Sequence, residues 1–317
     1  MTEPAIEPPA PSPSGPESRP PLWTWAAALA LALVIVGGLA LAHDALQPQI
    51  MARQLNLARF DRPSTRPRVV VIGASKSQCS IEFDEAMTAR LRRLGVDADF
   101  VRVSYAQADF EQLRPALDRL RADPPAIVLV ESELILLQPH AYRPPDYKPD
   151  SWISRMRKDL ASLAGLHEHQ DEAKDGAVAC GEGVLTPHQR PLPVYRAMLA
   201  RVRVSTAAER RPWLGELQAL RGRGVQVAMI ELQHAPAADV AFPAALQRDI
   251  EQVRFDLAQR EGLPDLAPTF RPRQENFVDL GHRNRFGRAV YSDWLAGEIA
   301  RMLREREAPP ASRGTDP

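Results

Sequence analysis

The sequence predicts a three-layer α/β/α domain built on a parallel sheet and preceded by one transmembrane helix. From Arg68 onward, β-rich apolar runs alternate with helical patterns, the βαβ spacing that puts helices on both faces of a parallel sheet. Before that domain stand 21 uncharged residues, Leu22 to Ala42. At ~1.5 Å rise per residue, a helix of that length crosses the ~30 Å hydrocarbon core of a bilayer. A chain of 317 residues, 44% hydrophobic and 25% charged, can bury one substantial core with appendages.

Residues 1–21 hold eight of the thirty prolines among Ser, Glu and Ala and read as a disordered tail. In the span 22–42, Trp23 and Trp25 fit an interfacial belt. A cleaved signal peptide competes, because Ala40-Leu41-Ala42 offers a small-x-small site. The length of the apolar run, and a preceding tail with Arg19 as its one basic residue, favour a retained anchor. Short-range charge counting sets Arg19 against Arg53, Arg59 and Arg62 and, taken alone, leaves the large domain in the cytoplasm. Long C-terminal domains translocate largely regardless of charge, so this carries little weight. Residues 43–67 read as a juxtamembrane linker with a short helix around Gln49 to Leu57, ended by Pro63-Ser64-Thr65-Arg66-Pro67.

The main domain is expected over 68–306. Its alternation runs strand Arg68 to Ile72, helix Ile81 to Leu94, strand Asp99 to Val103, helix Phe110 to Arg121 and strand Ala126 to Glu131. It resumes with helix Ala207 to Arg221, strand Val225 to Ile230, helix Ala244 to Gln259 and a short extended piece ending near Phe270. The last helix, Gly287 to Arg304, is amphipathic through Val290, Trp294, Leu295, Ile299 and Leu303. Between the halves lies an irregular insertion, 139–193, with one helix at Trp152 to Leu163; a loop of that length reads as a lid or substrate-binding element. Residues 307–317 read as a second disordered tail.

Forty basic against forty acidic side chains give a formal net charge of zero and no sign of a polyanion-steering field, so nucleic acid is not an expected partner. Cys79 and Cys180 are either one disulfide in an oxidising compartment or a buried thiol and a loop thiol.

The chemistry concentrates at two places. Near the C-terminus, Phe277-Val278-Asp279-Leu280-Gly281-His282-Arg283-Asn284 sets an Asp three residues before a His on a loop entering a helix. There a carboxylate can hold one imidazole nitrogen and leave the other free as a base. About two hundred residues earlier, the first strand breaks at Gly73-Ala74-Ser75-Lys76-Ser77, a strand, tight turn and helix that expose a hydroxyl at the carboxyl edge of the sheet. Ser75 is then the nucleophile, His282 the general base and acid, and Asp279 its orienter. Each residue alone has a plainer explanation, as helix cap, Asx-turn or loop histidine; their joint placement after the first strand and before the last helix favours the chemical one. His234, after the fourth strand, stands at the same edge as a substrate-contacting candidate. His167-Glu168-His169 with Asp171, Glu172 and His188 matches no closed metal site and reads as a solvated loop, so no metal or cofactor is expected. Gly73 to Ser77 lacks the glycines of a phosphate-binding loop.

With these blocks, Val71-Ile72-Gly73-Ala74-Ser75 and Asp279-Leu280-Gly281-His282, the chain resembles the SGNH/GDSL-type hydrolases over about Arg68 to Leu303. Asn284 and Gly287 also resemble the residues that come after that family's His. The resemblance implies an SGNH/flavodoxin-like fold and a serine esterase or O-acyltransferase working through an acyl-enzyme. Its anchored members imply an acylated, and in particular acetylated, envelope or exported polysaccharide as substrate and a membrane-bound O-acyltransferase as partner. They also imply a bacterial inner-membrane location with the main domain in the periplasm. The family's middle blocks are missing. Ser104-Tyr105-Ala106 lacks the Gly, and Glu131-Ser132-Glu133 lacks the Asn, that complete its oxyanion hole. A carboxylate there opposes a developing oxyanion, and losing one donor costs ~10² to 10³ in rate. The backbone N–H of Ser75, with Ser132, Gln107 and Asn284, are the substitute candidates. The alternative is a domain that keeps the fold with little chemistry and acts as a scaffold or glycan-binding component of an envelope complex.

Overall fold

The computed structural model describes residues 21–61, 64–139, 141, 180 and 192–307. The chain divides into Met1–Gln47 and Pro48–Pro317. The first unit contains most of helix α1 (Leu22–Gln54), whose side chains Leu22, Trp23, Trp25, Leu29, Leu31, Leu33, Val34 and Ile35 are all exposed. Among the described residues no helix is long and apolar enough to cross a membrane. The side chains at 36, 39, 40 and 42 of the uncharged stretch lie outside the described ones.

In the second unit, five parallel strands form one sheet in the order β2-β1-β3-β4-β5. They are β1 (Arg68–Gly73), β2 (Asp99–Ser104), β3 (Ile127–Glu131), β4 (Gln226–Ile230) and the short β5 (Asp265–Leu266). Side chains alternate across a strand, so the near-continuous apolar runs feed two cores. Val70, Ile72, Val101, Val103, Val128, Val130 and Met229 meet Leu113, Leu117 and Leu120 of α4 (Phe110–Ala122), Trp213 and Leu217 of α7 (Ala207–Arg221), and Leu257 of α9 (Ala244–Arg260). On the other face Val69, Val71, Phe100, Ile127, Leu129 and Ile230 meet Met87 and Leu91 of α3 (Asp84–Arg93). Tyr291, Leu295 and Ile299 of α10 (Arg285–Glu307) complete that second core. The strand order reverses at β1, which opens a crevice beyond the carboxyl ends of β1 and β3, where open α/β sheets bind ligands.

Several boundaries depart from the sequence expectation. The linker helix is not separate: α1 continues to Gln54, and Met51 and Leu55 join Leu57 and Phe60 of a 3₁₀ turn (Leu57–Asp61) in the first core. The helix expected over Ile81 to Leu94 is α3, starting at Asp84, and a separate short helix, α2 (Ser75–Ser80), precedes it, with Ile81 extended between them. Buried Arg102 on β2 donates its guanidinium to the carbonyls of Gln78 and Ile81 and so caps the end of α2. The extended piece near Phe270 is realised earlier, as β5. Three short helices complete the unit: α5 (Glu133–Leu136), α6 (Leu192–Leu199) within and beyond the end of the expected insertion, and α8 (Pro236–Asp239). The two tails up to residue 20 and from 308, the helix Trp152 to Leu163 and the His167–His188 cluster lie outside the described residues. Among the described residues, no group of three His, Cys, Asp or Glu could hold a metal ion.

Candidate active site

Ser75 is the first residue of α2, immediately past β1. Gly73 is required in this turn because a Cβ there would come within 1.8 Å of Ser77 Oγ and 2.8 Å of Glu131 Oε2. Glu131, at the end of β3 and 2% exposed, accepts hydrogen bonds from Ala74 N (2.7 Å), Ser77 N (3.2 Å) and Ser77 Oγ (2.7 Å). It thereby ties β3 to the serine-bearing turn from below. Burial, and after it the neighbouring Glu133 charge, raise its pKa, against the pull of Lys76 and these donors.

His282 arrives from a loop that is itself closed. Phe277 and Arg283 form an antiparallel bridge, and Val278 N donates to His282 O at 3.0 Å. Inside it, Asp279 Oδ1 accepts from Gly281 N and His282 N, both at 2.8 Å, the Asx-type turn that Asp favours. Both Asp279 oxygens also face His282 Nδ1, at 3.0 and 2.9 Å. His282 Nε2 stands 3.0 Å from Ser75 Oγ across 207 residues of sequence. With a carboxylate at Nδ1, the imidazole carries its proton there and offers Nε2 as acceptor for the serine hydroxyl. The Ser75 N–H, at the first position of α2, has no intrahelical acceptor and is the backbone donor available to an oxyanion.

Three contacts bring the two ends of the chain into register. Arg288 Nε on α10 donates to Cys79 O of α2 (3.3 Å), Glu82 N to Ser292 Oγ (2.9 Å), and Tyr291 Oη to Glu231 O beyond β4 (2.8 Å). Arg283, fully buried next to the catalytic-type histidine, lies over the rings of Phe277 (4.9 Å) and Tyr291 (5.0 Å) and donates to Gln233 Oε1 (3.0 Å). Burial lowers its pKa to about 10, so it remains a cation at neutral pH. Cys79 is bonded to Cys180, both fully buried, which joins α2 to the region of the insertion.

The secondary candidates separate. Asn284 is taken up by the fold: its Oδ1 accepts from Phe286 N and Gly287 N (3.0 Å each) and its Nδ2 donates to Glu275 O (2.6 Å), which makes it the buried N-cap of α10. Gln107 is exposed on the loop after β2 with a left-handed backbone (φ 56°) and makes no described hydrogen bond to the triad. Ser132 and His234 line a cavity of about 290 Å³ with Glu133, Leu136 and Phe242, beyond the carboxyl ends of β3 and β4. His234 is half-buried, its ring 4.8 Å from that of Phe242. A larger cavity, about 910 Å³ and lined by Arg66, Arg68, Arg119 and Arg306, opens at the amino ends of the strands, the opposite edge from Ser75.

The sequence reading missed Lys76. Buried at 6% exposure, its ammonium lies 2.8 Å from Glu133 Oε1 and 3.2 Å from His234 Nε2. Burial, and then the Lys76 charge, lower the His234 pKa to about 3, so this imidazole is neutral with Nε2 as acceptor. The bare carboxylates expected after β3 are therefore engaged: Glu131 with the turn beneath, Glu133 with Lys76.

No family model matches the chain, and no curated protein matches it in sequence. Solved structures similar to it include a GDSL-like lipase from Bacteroides thetaiotaomicron, at 11% identity and TM-score 0.36 over 80% of this chain and 99% of that one. The psychrotrophic esterase EstA from Pseudoalteromonas sp. is similar at 10% identity and TM-score 0.34, over 75% and 99%. A carbohydrate esterase family 2 enzyme with a carbohydrate-binding domain, from Corynascus thermopiles, is similar at 11% and 0.38, over 76% and 68%. At that identity the site rests on its own geometry.

Proposed function

We propose that this protein is a membrane-anchored SGNH-like serine esterase or O-acyltransferase that acts on acylated, in particular acetylated, cell-envelope or exported polysaccharide. The observation that carries the reading is the unbroken relay from Ser75 Oγ through His282 to Asp279, at 3.0 and 2.9 Å. In the first half-reaction Ser75 Oγ attacks the ester carbonyl while His282 Nε2 takes its proton. The tetrahedral oxygen draws on the Ser75 N–H, the C–O bond breaks, and His282 returns the proton to the departing alkoxide, leaving an acyl-enzyme. In the second, His282 takes a proton from water or a sugar hydroxyl, whose oxygen attacks the acyl carbonyl; the bond from Ser75 Oγ to the acyl carbon breaks and His282 returns the proton to Ser75, giving hydrolysis or transfer.

Anchoring is supported by the uncharged run 22–42 and by the exposed apolar side chains of α1, a surface that calls for lipid or a protein cover. A periplasmic domain on the bacterial inner membrane is supported by the Cys79–Cys180 disulfide, a bond that persists in oxidising compartments. The polysaccharide, and a membrane-bound O-acyltransferase as partner, rest on the sequence resemblance alone. The alternative, a weakly active or inactive scaffold or glycan-binding component, draws on the absent amide donor after β3; the hydrogen-bonded Ser75 argues against it.

The reading is tested by turnover of acetyl esters, including an acetylated oligosaccharide, by the purified chain and by Ser75→Ala and His282→Ala. Release or transfer of acetate that both substitutions abolish is expected. Equal turnover in wild type and Ser75→Ala refutes it.

A further inference from the structure

We propose that Lys76 is a positioning residue of this site: its ammonium neutralises Glu133, and so keeps the β3 flank from opposing the charge that forms on the substrate's carbonyl oxygen. The inference rests on the esterase or acyltransferase reading and adds a residue to it. Lys76 directly follows Ser75, yet its side chain is directed inward at 6% exposure and reaches residues beyond both β3 and β4. Two carboxylates, Glu131 and Glu133, stand on this flank, and the Lys76 charge acts on the buried Glu131 as well. Glu131 spends its lone pairs on Ala74 and Ser77. Glu133 instead takes the Lys76 ammonium at 2.8 Å, with His234 Nε2 at 3.5 Å. His234 does not balance Glu133 beside the lysine: its Nε2 faces the Lys76 donors, and burial first, then the Lys76 charge, hold the ring neutral; burial, the larger cause, persists when the lysine is removed. Removing the ammonium takes this 2.8 Å partner from Glu133 and leaves its charge less balanced on a flank where the site needs a donor or neutrality. The penalty falls on the transition state, where the oxyanion exists, and not on ground-state binding.

The test uses the full chain and the variants Lys76→Met, Glu133→Gln and Lys76→Met/Glu133→Gln, with acetyl-ester kcat and KM and the rate of Ser75 labelling by a fluorophosphonate. Lys76→Met is expected to lower kcat by about 10²-fold, the scale of one lost oxyanion-stabilising group, with KM within about threefold. The double variant is expected to recover at least about tenfold of that loss, because Gln carries no charge and supplies an amide donor. If Lys76→Met alone does not fold, the comparison moves to the Glu133→Gln background, where removing Lys76 changes kcat by less than about threefold if the two residues act as one unit. Overturning results are a folded Lys76→Met at the wild-type rate, a double variant no faster than Lys76→Met, or a large Lys76 effect that persists in the Glu133→Gln background. A wild-type chain that is folded but never labels and turns over no ester overturns the reading of Ser75 and this inference with it; wild-type labelling with an unaffected Lys76→Met overturns the inference alone.

Discussion

Replacing Cys79 and Cys180 together by alanine perturbs one bond and tests how the serine-bearing helix is held. The bond closes a loop of 101 residues. In the chain-entropy account the unfolded state gains ~2.1 + 1.5R ln n cal/mol/K when such a cross-link is lost, which for this loop is about 4.7 kcal/mol at 25 °C. Native disulfides removed from small domains cost ~2 to 5 kcal/mol, so the upper part of that range is expected. For a domain of this size the midpoint of thermal unfolding should fall by roughly 5 to 15 °C. Both sulfurs are fully buried, so alanine is the right replacement: serine would bury two hydroxyls in addition. The assay is urea and thermal unfolding of the oxidised chain, of the chain treated with reductant, and of the double-alanine variant, monitored by circular dichroism. Reductant should shift the wild type toward the variant and leave the variant unmoved. A difference below about 1 kcal/mol, or a reductant-insensitive wild type with free thiols, refutes the assignment of this cross-link and removes its support for an exported domain.

Asp279→Asn should lower kcat by about 10⁴-fold with little change in KM, because an amide hydrogen turned to Nδ1 stabilises the tautomer whose Nε2 cannot accept the Ser75 proton; steady-state kinetics and an unchanged melting curve check it. His234, held neutral with a pKa of about 3, lets the unfolded chain bind more protons than the folded one between about pH 6.5 and 3. Its contribution to stability is thus fully present above about pH 6.5 and is lost as pH falls toward 3, with a slope of up to about 1.4 kcal/mol per pH unit. Urea midpoints measured from pH 7 to 4 should show that component, and His234→Gln should remove it.

Local chemistry is what the sequence makes legible. The strand ending at Gly73, the Asp-x-x-His loop and the helix after it each carry their own signal in neighbouring residues, and the alternating βαβ pattern places Ser75 and His282 at one sheet edge. The features it does not reveal depend on contacts distant in sequence. Lys76 carries no signal in its own neighbours; its place is set by Glu133 and His234, 57 and 158 residues away. The break between α2 and α3 carries no Gly or Pro; the carbonyls there are capped by Arg102 from the next strand. Asn284 reads as a substrate candidate because it comes soon after the histidine, yet its neighbours Phe286 and Gly287 already mark it as a helix cap. The Cys79–Cys180 bond is one of two readings open to the sequence, since spacing alone does not pair cysteines.

The central claim is that Ser75 is an activated nucleophile, and covalent labelling tests it without knowledge of the substrate. The folded chain is exposed to a fluorophosphonate and subjected to intact-mass measurement and peptide mapping, with His282→Ala and Asp279→Asn alongside. One adduct, on Ser75, that disappears with His282→Ala and slows with Asp279→Asn is the expected result. A folded wild type that takes no adduct, or one whose Ser75 labels equally well without His282, contradicts it.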